Sequence, residues 1–177
     1  KHYSSVDIDD NFSSIVFDSY IDALDGSKLY FLKEDIDQLS RYRYTLDNSL
    51  EDGSVEPGFE IYNLYYKRIL ERMIYAVDRV ENHIGEMDFT IDESIEIDRE
   101  DAPYAASIEE LDELWRRRIK NSVLSLKLTG DDDAEIKEKL SKRYRNQLSQ
   151  ISKTNDKDVF QTYLATVATA VDPHTSY

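Results

Sequence analysis

The sequence predicts a mainly α fold: a single helical domain over residues 1–177, of about six helices, with a small β-hairpin or extended element at 88–98. Three observations carry this. Apolar residues recur every three to four positions through most of the chain. Only five glycines and three prolines interrupt the 177 residues, and most stand where these stretches begin or end. A period of two occurs once, between Asp88 and Asp98.

Asp9 or Asp10 caps a first helix, whose Phe12, Val16, Tyr20 and Leu24 are spaced by four and form one apolar face. Gly26 is its stop signal. A second helix is expected from Glu34 to about Asp52, with Ile36, Leu39, Arg43, Leu46 and Leu50 on one face and Gly53 at its end. Pro57 or Gly58 opens a third helix, the longest, with apolar positions running from Phe59 through Ile69 and Met73 to Ile84. Phe89, Ile91, Ile95 and Ile97 then alternate with polar residues. This predicts a strand, or a hairpin turning at Asp92-Glu93, with its apolar side docked on the helices or paired with a strand outside this chain.

Ser107-Ile108-Glu109-Glu110 is a capping-box sequence. It precedes the stripe Leu111, Leu114, Trp115, Ile119 and Val123, which ends at Gly130. Trp115 is expected in the core, because its ring has a large apolar area to bury. Asp131 to Asp133 put acid at the positive end of the next helix, which carries Ile136, Leu140, Tyr144, Leu148 and Ile151. Asn155, with Asp158 three residues on, caps the last helix. Val159, Phe160, Tyr163, Leu164, Val167, Ala168 and Val171 make that helix apolar on more than one face, so it is expected to be the most buried. It runs into Asp172-Pro173-His174. Proline disfavours helical geometry in the residue before it, and these three residues read as a junction to a further domain.

The formal net charge is −15. Nucleic acid and anionic membrane surfaces are therefore poor partners, since both need clustered Lys and Arg. The charge is concentrated: Glu86 to Glu113 holds twelve acids and one basic residue, Arg99, a local charge of −11. Such a run is either a solvated, self-repelling face or a docking surface for a basic partner, with Glu86, Asp88, Glu93 and Glu96 as its contacts. Arg116-Arg117-Arg118 follows it. Successive helical residues lie about 100° apart, so the triplet spreads around the helix and is suited to neutralising Glu113 and Asp112.

No catalytic constellation stands out in the sequence. There is no cysteine, which removes disulfides, thiolate metal sites and cysteine nucleophiles. His2, His83 and His174 are far apart, and Asp172-x-His174 supplies too few ligands for zinc. Asp131 to Asp133 lack the alternating ligands and glycine of a calcium loop. Neither a Gly-x-Ser-x-Gly elbow nor a phosphate-cradling glycine loop is present. Carboxylates are plentiful, but a glycosidase-like pair must face across a pocket. No catalytic, cofactor-binding or metal residue is assigned. No apolar run of about 18 residues is present to span a membrane.

Three phrases stand out: Leu124-Ser125-Leu126-Lys127-Leu128-Thr129-Gly130, Thr154-Asn155-x-x-Asp158-Val159-Phe160, and the closing Val171-Asp172-Pro173-His174-Thr175-Ser176-Tyr177. With Phe17-Asp18-x-Tyr20-Ile21, Tyr62-Asn63-Leu64, Met87-Asp88-Phe89-Thr90 and Leu111-x-x-Leu114-Trp115, they resemble the N-terminal domain of the tail-specific proteases, in the carboxyl-terminal processing peptidase family. The resemblance implies an exported, Gram-negative periplasmic serine endopeptidase as the parent, and the start at Lys1 without methionine leads to the expectation that an upstream segment has been removed. It implies a PDZ domain and a protease core with a Ser-Lys pair after residue 177, and protein substrates with apolar C-termini. It also implies a helical-repeat lipoprotein adaptor. This segment would carry none of the catalytic residues. It would support the protease body, help shape the substrate cradle and offer the adaptor a surface. Two alternatives stand beside it: a free-standing acidic helical interaction module, and a small enzyme using surface carboxylates in a pocket.

Overall fold

Asp9 opens the first helix by accepting the Phe12 amide at 2.9 Å, which satisfies a donor that has no partner within the helix. The computed structural model describes residues 7–172. Its α-helices are α1 (Asp10–Asp25), α2 (Lys33–Leu39), α3 (Leu46–Glu51), α4 (Glu56–Asn82), α5 (Ile108–Leu128), α6 (Asp133–Ser152) and α7 (Asp156–Val171). The mainly α expectation holds. Among the described residues there is no strand, only an isolated parallel bridge between Leu32 and Ala105.

The expected second helix is divided into α2 and α3, joined by a short 3₁₀ turn over Ser40–Tyr42. Side chains compete with the backbone there. The Ser40 hydroxyl donates to the Ile36 carbonyl at 2.7 Å and the Thr45 hydroxyl to that of Arg41 at 3.3 Å. Such back-bonds bend helices. The break lets the Arg43 guanidinium lie 4.7 Å from the centre of the Phe17 ring while pairing with Asp18 at 2.8 Å.

The chain forms two packing units. The first takes Glu34–Tyr65 together with the segments holding α1 and α7. Here α1 packs against α3 and α7, burying Phe12, Val16, Phe17, Tyr20, Ile21, Leu46 and Tyr163. Ser13 and Asp47 lock α1 to α3: the Ser13 hydroxyl donates to the Asp47 carboxylate at 2.8 Å and accepts the Asp47 amide at 2.7 Å. Tyr20 meets Tyr163 edge-on, with centroids 5.2 Å apart, and its hydroxyl donates to the Gly58 carbonyl at 3.1 Å. A Cβ on Gly58 would lie 2.6 Å from the Tyr163 ring, so only glycine allows this approach.

The second unit takes Ser27–Lys33 and Tyr66–Lys153. Its core combines Ile69, Met73, Ala76 and Val80 of α4 with Leu111, Trp115, Ile119 and Val123 of α5, and Ile136, Leu140 and Tyr144 of α6. Trp115 is 5% exposed, as its place on the stripe predicts. Its indole N–H donates to the Leu29 carbonyl at 2.8 Å. Asp132 opens α6 and Asn155 opens α7, each with a reciprocal capping box. At α5 the box is displaced: Ser107 accepts the Glu110 amide, but the Glu110 carboxylate reaches back to the Ala106 amide.

Two expectations are corrected. Residues 88–98 form no hairpin. The period-two pattern finds no partner strand in its unit, and polar side chains fix the backbone instead. Asp88 accepts both the amide and the hydroxyl of Thr90, which starts a turn, and Glu93 is drawn to α5. Of the four alternating apolar residues, Ile91 and Ile97 are exposed, so they do not dock together. The second correction concerns α7. Its fully buried residues are Val159 and Tyr163, while Phe160 and Val171 are exposed. Within its unit α1 packs along α7, Leu164, Val167 and Ala168 are half-buried, and Ala165 is exposed.

Candidate functional site

The four acids of the expected partner surface lie in different surroundings. Glu86 is exposed and its carboxylate lies 2.8 Å from His83 Nδ1. Asp88 is exposed, with its carboxylate in the Thr90 turn. Its pKa is held low first by the Thr90 hydroxyl and then by the Thr90 amide. Glu96 is exposed and lies 3.4 Å from Arg99. Glu93 differs from these. Its side chain is 17% exposed, and its two oxygens lie 2.5 Å from Arg116 Nη2 and 2.5 Å from Lys120 Nζ. Asp172 of the expected junction caps the end of α7. Pro173 and His174 lie outside the described residues.

Glu93 therefore pins the acidic segment to α5 and is turned away from solution. Arg116 first, and Lys120 next, hold its pKa down at about 2. Glu113, bonded to Arg116 and Arg117, is also lowered to about 2. Arg116 and Arg117 of the triplet neutralise Glu113 as expected, but Asp112 is taken by Arg72 of α4 at 2.6 Å. Glu93 therefore stabilises the fold in its ionised form. The folded pKa is below the unfolded value of about 4.3, so the Glu93 contribution is complete above that value and lost as pH falls through about 2. Carboxyl NMR should show Glu93 titrating near the lower figure, with residues 88–98 losing amide protection over the same window. A midpoint near the ordinary glutamate value would contradict the clamp.

In the first unit, α1 and α7 border an open groove of about 650 Å³. Ile15 and Ser19 line one side, and Thr162, Ala165, Thr166 and Ala170 the other. Ile15 is 48% exposed. Small residues along α7 leave room for a close backbone approach, and the lining is mostly apolar. None of these α7 residues belongs to the apolar set that the sequence pattern marks on this helix; the only local signal is the run of Ala and Thr between Thr162 and Ala170. Arg118 of α5, expected from the triplet to neutralise acids of its own helix, instead lines a groove in the second unit with Arg143 of α6, to which the sequence pattern assigned no role.

Among the described residues, no three acidic or histidine side chains come together to hold a metal ion. Tyr163 OH and the Nε atoms of Arg72 and Arg79 are buried without a hydrogen-bond partner. Burial pushes the Tyr163 phenol up to about 12, so it is protonated at neutral pH and is no base.

Residues 1–177 match the family described as the tail specific protease N-terminal domain. A tail-specific protease of Haemophilus influenzae is 39% identical to the chain over 178 residues, covering all of this chain and 25% of that relative. The chain thus spans a quarter of the length of the curated relative it matches.

Proposed function

The chain belongs to the tail-specific protease N-terminal domain family, and on that premise we propose that it is the supporting helical domain of a periplasmic C-terminal processing serine protease. A PDZ domain and a protease core follow residue 177 in the parent. There a serine nucleophile with a lysine base cleaves proteins whose apolar C-termini the PDZ domain reads. The helical domain performs no chemistry. It braces the protease body, contributes to the substrate cradle, and offers a surface for a lipoprotein adaptor. No helix among the described residues is long and apolar enough to cross a membrane.

The apolar residues that α7 leaves exposed, Phe160, Ala165 and Val171, are the observation that supports the bracing role. A helix with more than one apolar face is stable when each is covered, and within its unit α1 packs along α7. The Ile15–Ala165 groove is an apolar surface of the kind that marks an interaction site, and the relative has three-quarters of its length outside the matched region. The groove is the docking face for that remainder.

Mixing the chain with a parent protein that lacks these residues tests this. Calorimetry should show binding. Ala165→Glu, at an exposed position, should abolish it while leaving the melting temperature of the chain unchanged. Absence of binding would favour the free-standing module, and binding indifferent to Ala165→Glu would overturn the α1–α7 groove as the docking face.

A further inference from the structure

In the second unit, α5 and α6 border a groove of about 460 Å³. Its walls are apolar and aromatic at Tyr30, Ile97, Trp115 and Tyr144, and cationic at Arg118 and Arg143. Ile97 is 88% exposed. None of its lining residues belongs to α1 or α7.

The charge of the groove runs against that of the protein. With 37 acids to 22 lysines and arginines, basic side chains have carboxylates to choose from. The neighbours of Arg118 and Arg143 take them: Arg116 pairs with Glu93 and Glu113, Arg117 with Glu113, Lys120 with Glu93, and Arg145 with Glu81. Among the described residues, neither the Arg118 nor the Arg143 guanidinium has an ion pair or a side-chain hydrogen bond. Two uncommitted guanidiniums therefore stand on one groove, beside Ile97, the most exposed of the large apolar side chains over residues 88–98.

We propose that this groove binds an extended acidic polypeptide segment, whose carboxylates pair with Arg118 and Arg143 and whose apolar side chains lie on Ile97 and Tyr30. Guanidinium suits this task, since it is planar, always charged and bidentate toward carboxylate. The aromatic walls supply apolar area at low entropic cost. The acidic surface around the groove repels a segment of high negative charge, so alternating acidic and apolar residues fit better than an acidic run. Nucleic acid is excluded by the −11 charge of the adjoining stretch.

The probe is a short peptide of alternating Glu and Phe, acetylated and amidated so that it has no terminal carboxylate, titrated into the chain and followed by amide NMR. Shifts should concentrate at Ile97, Arg118, Arg143 and Gln147. Arg118→Ser with Arg143→Ser should weaken binding about tenfold, equivalent to about 1.4 kcal/mol. Ile97→Ser should weaken it without changing its salt dependence, whereas the arginine pair should remove most of that dependence. Lys142→Ser, which takes one positive charge from an exposed position on the same helix, should have no effect. Equal binding of a Lys-Phe peptide, binding only when the peptide ends in a free carboxylate, or self-association of the chain through these residues would each overturn the proposal. None of these outcomes bears on the α1–α7 groove.

Discussion

Trp115→Ala is expected to destabilise the fold by about 3–5 kcal/mol, the range for large aromatic truncations in cores. Two contributions are lost together. The ring is 5% exposed and stands on the α5 stripe with Leu111 and Ile119. Its N–H also holds the Leu29 carbonyl at 2.8 Å, tying α5 to the stretch before α2. Trp115→Phe separates the two, since it keeps an aromatic ring and loses the donor. It should cost about 0.5–1.5 kcal/mol for the hydrogen bond, plus a smaller packing loss. In a chain of this size each kcal/mol lowers the melting temperature by about 2–4 °C. A Trp115→Ala variant that melts with the parent chain would show that the indole is not a core anchor.

Gly58→Ala should also destabilise, and here the sign is informative. Inside a helix this substitution normally gains about 0.5–1 kcal/mol. At Gly58 the new methyl would fall 2.6 to 2.9 Å from three atoms of the Tyr163 ring. Overpacking of this kind costs about 1–3 kcal/mol, which outweighs the propensity gain. The ring cannot retreat freely, because it is 1% exposed and set edge-on against Tyr20. Combining Gly58→Ala with Tyr163→Leu should cost less than the sum of the single changes, since the pair shares one space. Tyr163→Phe should be neutral or slightly stabilising, because it removes a buried hydroxyl that has no partner. A stabilised Gly58→Ala would mean that the α4–α7 approach in this unit is looser than the geometry indicates.

The sequence made the helices legible wherever local chemistry set them. Asp9, Ser107, Asp132 and Asn155 each cap the helix that the pattern places after them. Trp115, Ile119 and Val123 are buried because a 3.6-residue period fixes which side faces in. What failed were inferences that required a partner. Alternation over Phe89 to Ile97 reads as a strand only if another strand exists to pair with it, and Glu93 finds Arg116 and Lys120 instead. The second apolar face of α7 reads as core only if this chain supplies the cover. The candidate acids were chosen by charge density, which cannot distinguish Glu93, clamped by two cations, from exposed Glu86. Arg118 and Arg143 are 25 residues apart in sequence, and only the packing of α5 against α6 brings them to one groove.

The most direct measurement is of cleavage. An unfolded protein with an apolar C-terminus would be incubated with this chain alone, with the parent lacking residues 1–177, and with the two together. The proposed role predicts no cleavage by the chain alone, and greater or more stable activity when the chain is added to the remainder. Ala165→Glu should remove that gain. Cleavage by the chain alone that disappears when one of its own serines is replaced would contradict the account, because it would place the chemistry in the helical domain itself.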